Sequence, residues 1–176
     1  MAIPRFIPSY TVEDYRLWEG HWELWSGVPV AMSPSSGRAH QRLGLKLLDL
    51  FSGELKRVGC ADCELLYEID WIAAQDTVFR PDLVITCDGQ ETPFLTTPPA
   101  LVVEILSPST RSRDLLYKRE AYETLGVRYY LLADPDSRTL TGLELSGGRY
   151  VQSKAPELRL HDGCAISPDF ETLFQD

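Results

Sequence analysis

The sequence predicts an α/β or α+β fold: a mixed β-sheet with one helix ahead of it and one helix between two of its strands. Three observations carry this reading. The runs Asp82-Leu83-Val84-Ile85 and Leu101-Val102-Val103-Glu104-Ile105-Leu106 are continuously apolar apart from one acid each, the pattern of strands buried on both faces. Residues 38 to about 57 carry Leu43, Leu47, Leu48, Leu50, Phe51 and Leu55 at helical spacing. Turn residues punctuate the extended segments on either side.

Taken in order, residues 1–18 form a lead-in with one or two helical turns over Thr11 to Trp18. Trp22-Glu23-Leu24-Trp25 alternates, meets the turn pair Ser26-Gly27 and resumes as an extended segment from Val28 to Met32, which predicts a β-hairpin. Pro34-Ser35-Ser36-Gly37 reads as a loop rich in helix N-caps ahead of the long helix. Strands are expected from Cys63 to Ile69 and from Trp71 to Ala74, with the central ones at 82–86 and 100–106. Ser107-Pro108-Ser109-Thr110 ends the latter. A helix follows from about 112 to 125, closed by Gly126 as a left-handed cap. Residues 128–133 form another apolar strand, stopped by Asp134-Pro135-Asp136. A hairpin spans 138–145 and 149–154 around Ser146-Gly147-Gly148. A short strand near 157–160 and a turn at 169–174 finish the chain.

With 176 residues, 44% of them hydrophobic and 24% charged, the chain fits one globular domain, residues 1–176. No run of 18 apolar residues is present, so no membrane span is expected. The first eight residues, with prolines at 4 and 8, lack the apolar helix of a signal peptide, which points to the cytoplasm. A net charge of −9 counts against a broad nucleic-acid surface, because phosphate contacts need Lys and Arg; a local basic rim would still serve.

Cys60-Ala61-Asp62-Cys63 has the spacing of half a zinc knuckle or of a redox pair. Cys87 and Cys164 form no second pair at matching spacing, and His21, His40 and His161 are scattered. Since a structural zinc site wants four ligands, the plainer expectation is reduced thiols in a cytosolic protein.

Glu104 is the most informative residue. An ionised carboxylate in a dry sheet costs several kcal/mol unless a cation or donors meet it. Asp82 opens the neighbouring run after Pro81, and two acids entering a buried sheet from different strands suggest a divalent metal site. Strand periodicity puts Glu104 and Leu106 on one face and Val103 and Ile105 on the other. Asp114, Lys118 and Tyr122, four residues apart, share one stripe of the following helix, so Lys118 can point back at Glu104. Each has a plainer alternative. Asp114 and Lys118 would make an exposed helical ion pair, Glu104 would be satisfied by an arginine or backbone donors, and Asp82 would cap a strand.

The stretches Arg80-Pro81-Asp82-Leu83-Val84-Ile85, Pro99 through Thr110, Asp114-x-x-x-Lys118-x-x-x-Tyr122 and Gly126-Val127-x-x-Tyr130-x-Leu132-x-Asp134-Pro135 resemble the Uma-two family, restriction-endonuclease-like proteins of the PD-(D/E)xK nuclease superfamily. Trp22-Glu23-Leu24-x-x-Gly27 and Met32-x-Pro34-x-Ser36-x-x-x-His40 are similar to that family's N-terminal pattern. The resemblance covers roughly residues 20 to 150. It implies a restriction-endonuclease-like core, a central mixed sheet flanked by helices, here with N-terminal and C-terminal hairpins. It implies that Asp82 and Glu104 bind metal, with the carbonyl of Ile105 as a third ligand. It implies that Lys118 replaces the lysine usually found two residues after the second acid, where this chain has Leu106. Glu23 matches an early acid near the metal in related nucleases; its alternative is a hairpin surface acid. His40 matches a family position near the site; its alternative is a surface or capping histidine.

The chemistry so implied is hydrolysis of DNA phosphodiesters, with RNA as a second candidate substrate, using Mg²⁺ or Mn²⁺ held by oxygen ligands. Lys118 would orient water or stabilise the transition state, Asp114 would fix Lys118, Tyr122 would pack or hydrogen-bond nearby, and Arg80 and Arg111 would contact phosphate. A homodimer is expected, since cutting two strands needs two sites. Two other readings stand beside it: a catalytically silent nucleic-acid- or protein-binding module that keeps the fold, and a structural oligomer whose acids make buried salt bridges.

Overall fold

The computed structural model describes residues 8–32, 37–90, 92–153 and 157–175. The start of the chain at 1–7 and the serine-rich loop expected at 34–36 lie outside the described residues.

The chain begins with a single helical turn, α1 (Val12–Tyr15), closed by a capping box. Thr11 Oγ1 accepts the Asp14 N–H at 3.3 Å while the Asp14 carboxylate accepts the Thr11 N–H at 2.8 Å. The strands β1 (Trp22–Trp25) and β2 (Val28–Ala31) form the expected hairpin, with Trp25 opposite Val28. Its two central residues, Ser26 and Gly27, have φ of 47° and 80°. A two-residue turn with both φ positive matches the right-handed twist of the strands it joins. The long helix α2 (Arg38–Val58) follows.

Next come β3 (Glu64–Tyr67), β4 (Trp71–Ala74), β5 (Thr77–Phe79), β6 (Leu83–Thr86) and β7 (Leu101–Ile105). The expected second helix is split. Arg113–Lys118 winds as a π-helix and continues into α3 (Arg119–Leu125). Then follow β8 (Tyr129–Asp134), the hairpin β9 (Thr139–Ser146) and β10 (Arg149–Gln152), the pair β11 (Leu158–His161) and β12 (Cys164–Ile166), and a 3₁₀ turn at Phe170–Phe174. Two strands, β5 and β12, were not expected from the sequence; each is three residues long.

The central sheet has six strands in the order β10-β9-β8-β7-β6-β3. It is mixed: β7 and β8 run parallel, while β3/β6, β6/β7, β8/β9 and β9/β10 are antiparallel. The parallel pair follows from connectivity, since the helical segment between Ile105 and Tyr129 crosses back over the sheet before the next strand begins. A smaller sheet, β2-β1-β5-β4, carries the N-terminal hairpin.

Alternation along the central strands separates two cores. On one face Leu101, Val103, Ile105, Leu83 and Ile85 pack against Leu43, Leu47, Phe51 and Leu55 of α2 and against Leu158, Leu160 and Ile166 of the C-terminal pair. On the other, Val102, Leu106, Val84, Tyr130 and Leu132 pack against Tyr122, Trp71, Phe79 and Val127. Each fully buried Leu, Ile or Phe contributes roughly 1.5–3 kcal/mol. Glu104 has the parity of Val102 and Leu106, so it is driven onto the face covered by the crossover helix.

The expectation of reduced thiols is corrected. Cys60 is bonded to Cys164 and Cys63 to Cys87. Gly59 ends α2 with a φ of 75°, and the turn that follows carries Cys60 toward β12 and Cys63 toward the end of β6. Residues more than a hundred positions apart thus meet where spacing along the chain offers no sign of it.

Candidate active site

Five elements converge on one cavity of about 460 Å³. Glu23 comes from β1, Asp82 from the residue before β6, Glu104 from β7, Asp114 and Lys118 from the π-helical turn, and His40 from the first turn of α2; all six line it.

Lys118 is the hub. Its ammonium lies 2.9 Å from Glu104 Oε1, 3.0 Å from Glu23 Oε1 and 3.8 Å from Asp114 Oδ1. Lys118, Glu104, Glu23 and Asp114 are all at most 5% exposed. Tyr122 Oη donates to the same Glu104 Oε1 at 2.8 Å, and its ring is wedged between Phe79, Trp71 and Tyr130. Glu23 Oε1 also accepts the backbone N–H of Arg80 at 2.8 Å, tying the N-terminal hairpin to the strand before Asp82. Asp82 Oδ2 accepts the N–H of Ile105 at 2.7 Å, and Oδ1 lies 3.3 Å from His40 Nε2.

These contacts decide several alternatives. Asp114 and Lys118 are not an exposed ion pair but a buried one. Glu104 is met by an ammonium and a phenol rather than by an arginine. Glu23 is buried rather than on the hairpin surface, and His40, 8% exposed, packs against Asp82 instead of capping a helix at the surface. Asp82 reaches across to β7 instead of capping its own strand. Arg111 is drawn to Asp134 at 2.6 Å. Arg80 lines the cavity, but its guanidinium is held by Asp70 at 2.6 Å, with Tyr15 and His21 nearby.

The lining also includes residues the sequence reading passed over. Arg113 donates to the carbonyl of Ala31 at 3.1 Å and sits over the Trp25 ring. Glu68 has a left-handed φ of 49°. Adjacency to Asp114 was the one sign available for Arg113; Glu68 stands in no motif. The π-helical winding was also missed, though single π turns concentrate at functional sites.

The electrostatics are unbalanced. Five carboxylates, Glu23, Glu68, Asp82, Glu104 and Asp114, share the lining with Lys118, Arg80 and Arg113. Burial pushes Glu104 well above the usual carboxylate range; Lys118 counters this in part, and Asp114, Asp82 and Glu23 add to the rise. Burial likewise raises Asp114, against the pull of Lys118. For Lys118 burial opposes the charge, but Glu104, Glu23 and Asp114 outweigh it and hold the ammonium well above its ordinary range. Burial also opposes charging of His40, and the bond to Asp82 outweighs it. A cluster of hard oxygen donors lining a cavity is the donor chemistry that a divalent cation takes. Asp82 stands one residue before β6 and Glu104 on the neighbouring β7, and the Ile105 N–H is donated to Asp82.

Comparison with known proteins bears on the family and the fold. Residues 12–174 match the model of the Uma2 family, described as "Putative restriction endonuclease". An uncharacterized protein of Synechocystis sp. is 32% identical over 115 residues, a stretch that spans 61% of this chain and 59% of that protein's length. Among solved structures, a "putative nuclease belonging to DUF820" from Anabaena variabilis superimposes with a TM-score of 0.72 at 16% identity, covering 94% of this chain and 97% of that one. The shared fold is the restriction-endonuclease-like one.

Proposed function

The chain belongs to the Uma2 family, and from that premise we propose that it is a Mg²⁺-dependent endonuclease, with Mn²⁺ as a substitute ion, hydrolysing phosphodiester bonds of DNA in the cytoplasm as a homodimer. The observation that carries this reading is the buried ammonium of Lys118, 2.9 Å from Glu104 in the same cavity as Asp82.

Asp82, Glu104 and the Ile105 carbonyl would hold the cation. A divalent ion there would polarise a phosphate and acidify water. The other roles belong to the chain itself. Lys118, with its pKa held high, stays an ammonium at neutral pH; it is suited to stabilise negative charge and to donate, not to accept a proton. Asp114 and Glu23 hold that ammonium in place. Tyr122 fixes the Glu104 carboxylate from behind, and His40 fixes Asp82. Arg80 and Arg113 line the cavity and would meet the nucleic-acid backbone, while Arg111, paired with Asp134, is not among the residues lining it.

The test is cleavage of supercoiled plasmid, single-stranded DNA and RNA with Mg²⁺ or Mn²⁺. Lys118→Ala and Asp82→Ala should each lower the rate by about 100-fold or more. Equal cleavage by wild type and Lys118→Ala would overturn the assignment. The net charge of −9 favours a second reading, a silent module that binds a nucleic acid or protein without cutting. Binding without hydrolysis under every metal condition would select it.

A further inference from the structure

On the sheet face opposite Glu104, two turns with the same internal spacing are brought together. One is Cys60-Ala61-Asp62-Cys63 at the end of α2, where the Cys63 N–H donates to the Cys60 carbonyl at 3.3 Å. The other is His161-Asp162-Gly163-Cys164, the reversal between β11 and β12, in which His161 and Cys164 are cross-strand partners. Each turn holds two metal-ligating side chains separated by two residues. The ligand atoms of Cys63, His161 and Cys164 lie within 4.8 Å of one another, and Cys60, bonded to Cys164, is in the same cluster. Cys87, bonded to Cys63, adds a fifth candidate.

We propose that, with the cysteines reduced, Cys60, Cys63, His161 and Cys164 form a tetrahedral Zn²⁺ site. Zn–S bonds of about 2.3 Å and Zn–N bonds of about 2.0 Å place ligand atoms roughly 3.5–3.8 Å apart, so Cys63, His161 and Cys164 need to close by at most about an ångström, while the Cys60 and Cys164 sulfurs separate once their bond is reduced. The pairing of an x₂ knuckle with an x₂ hairpin turn is a four-ligand structural set, with no position left for water. Gly163 donates its N–H to His161 Nδ1 at 3.1 Å, a contact that zinc ligation through that nitrogen would replace. Asp62, inside the first turn, lies 3.1 Å from Nε2 at ion-pair distance without making a hydrogen bond to it. Cys87 follows the last residue of β6, whereas His161 and Cys164 flank the β11–β12 reversal and Cys60 and Cys63 flank the turn after α2.

The disulfide and zinc forms exclude each other, since three of the ligands are consumed in the two disulfides. Reducing both takes four electrons and four protons from two equivalents of a dithiol, which is oxidised to its own disulfide. Zinc loading then releases the thiol protons of Cys60, Cys63 and Cys164 to solvent and leaves Cys87 a thiol. The reduced form is the one expected in a cytosol. There the metal would join the end of α2 to the C-terminal pair, as the Cys60–Cys164 bond does here.

The experiment is an anaerobic Zn²⁺ titration of the dithiol-reduced full chain against a chromogenic chelator, with Co²⁺ substitution as a spectroscopic check. One Zn²⁺ per chain is expected, with a tetrahedral thiolate spectrum for Co²⁺. Cys60→Ser, Cys63→Ser, Cys164→Ser and His161→Ala should each weaken binding by about 100-fold or more, while Cys87→Ser should leave it unchanged. Independently of whether the variants fold, alkylation of the zinc-loaded wild type should modify Cys87 and spare the other three thiols, all four reacting once zinc is stripped under denaturing conditions. Failure of the reduced wild type to take up stoichiometric Zn²⁺ would overturn the proposal, as would loss of the site in Cys87→Ser with retention in His161→Ala.

Discussion

Lys118 Nζ stands 2.9 Å from Glu104 Oε1, and neither side chain is more than 6% exposed. A helix residue and a strand residue fourteen positions apart are thus locked into a pair that neither could sustain alone in a dry interior. Truncating the lysine leaves Glu104, Glu23 and Asp114 buried with no cation among them. Lys118→Ala should therefore destabilise the fold by about 3–5 kcal/mol, the usual cost of orphaning a buried charge. Denaturant unfolding of the variant measures it, and a loss below about 1 kcal/mol would mean the carboxylates are already neutral.

Glu104→Gln separates charge from shape. The amide keeps an oxygen for Lys118 and for the Tyr122 hydroxyl, so stability should change by less than about 1.5 kcal/mol. Mn²⁺ affinity, read by calorimetry, should nonetheless fall by at least about tenfold, because a hard cation needs the carboxylate. Unaltered affinity would place the cation elsewhere.

Gly27 tests how the N-terminal hairpin positions Glu23. Its φ of 80° suits glycine, and an added Cβ would run into the Ser9 hydroxyl. Gly27→Ala should cost about 1–2 kcal/mol in thermal or chemical unfolding. A neutral substitution would show that the turn rearranges freely.

Asp134 governs an acid-sensitive part of the stability. Burial would raise its pKa, but the Arg111 guanidinium and the Ser137 and Asp136 contacts outweigh burial and hold it at about 2. A depressed folded-state pKa stabilises above the unfolded value of 3.8 and is lost as pH falls toward about 2. With Arg111 partly exposed, the contribution is on the order of 1 kcal/mol. Between pH 5 and pH 2, Asp134→Asn should lose less stability than wild type; parallel curves would contradict the assignment.

How far the sequence could be read depends on whether a signal is local. Glu104 in an apolar run, the Ser26–Gly27 turn and the helical stripe of α2 are short-range patterns, and each appears where expected. So does the convergence of Glu104 with Lys118, because strand parity and the crossover leave the lysine one face to point toward. The strands Thr77–Phe79 and Cys164–Ile166 are too short for periodicity to show. The π turn is not legible either, since Arg113 to Lys118 is unremarkable as helix-forming sequence. The pairing of Cys60 with Cys164 depends on a contact across more than half the chain, and that of Cys63 with Cys87 on the register of β3 against β6. A search for paired cysteines alone also passes over His161-x-x-Cys164, where the second pair is a histidine and a cysteine.

The most direct measurement is a crystal structure of the protein soaked in Mn²⁺, read by anomalous scattering. An anomalous peak within about 2.5 Å of carboxylate oxygens from both Asp82 and Glu104, with Lys118 still on Glu104, is the predicted result. A fully occupied metal bound away from this pair, or a map with no peak between the two acids, would contradict the account.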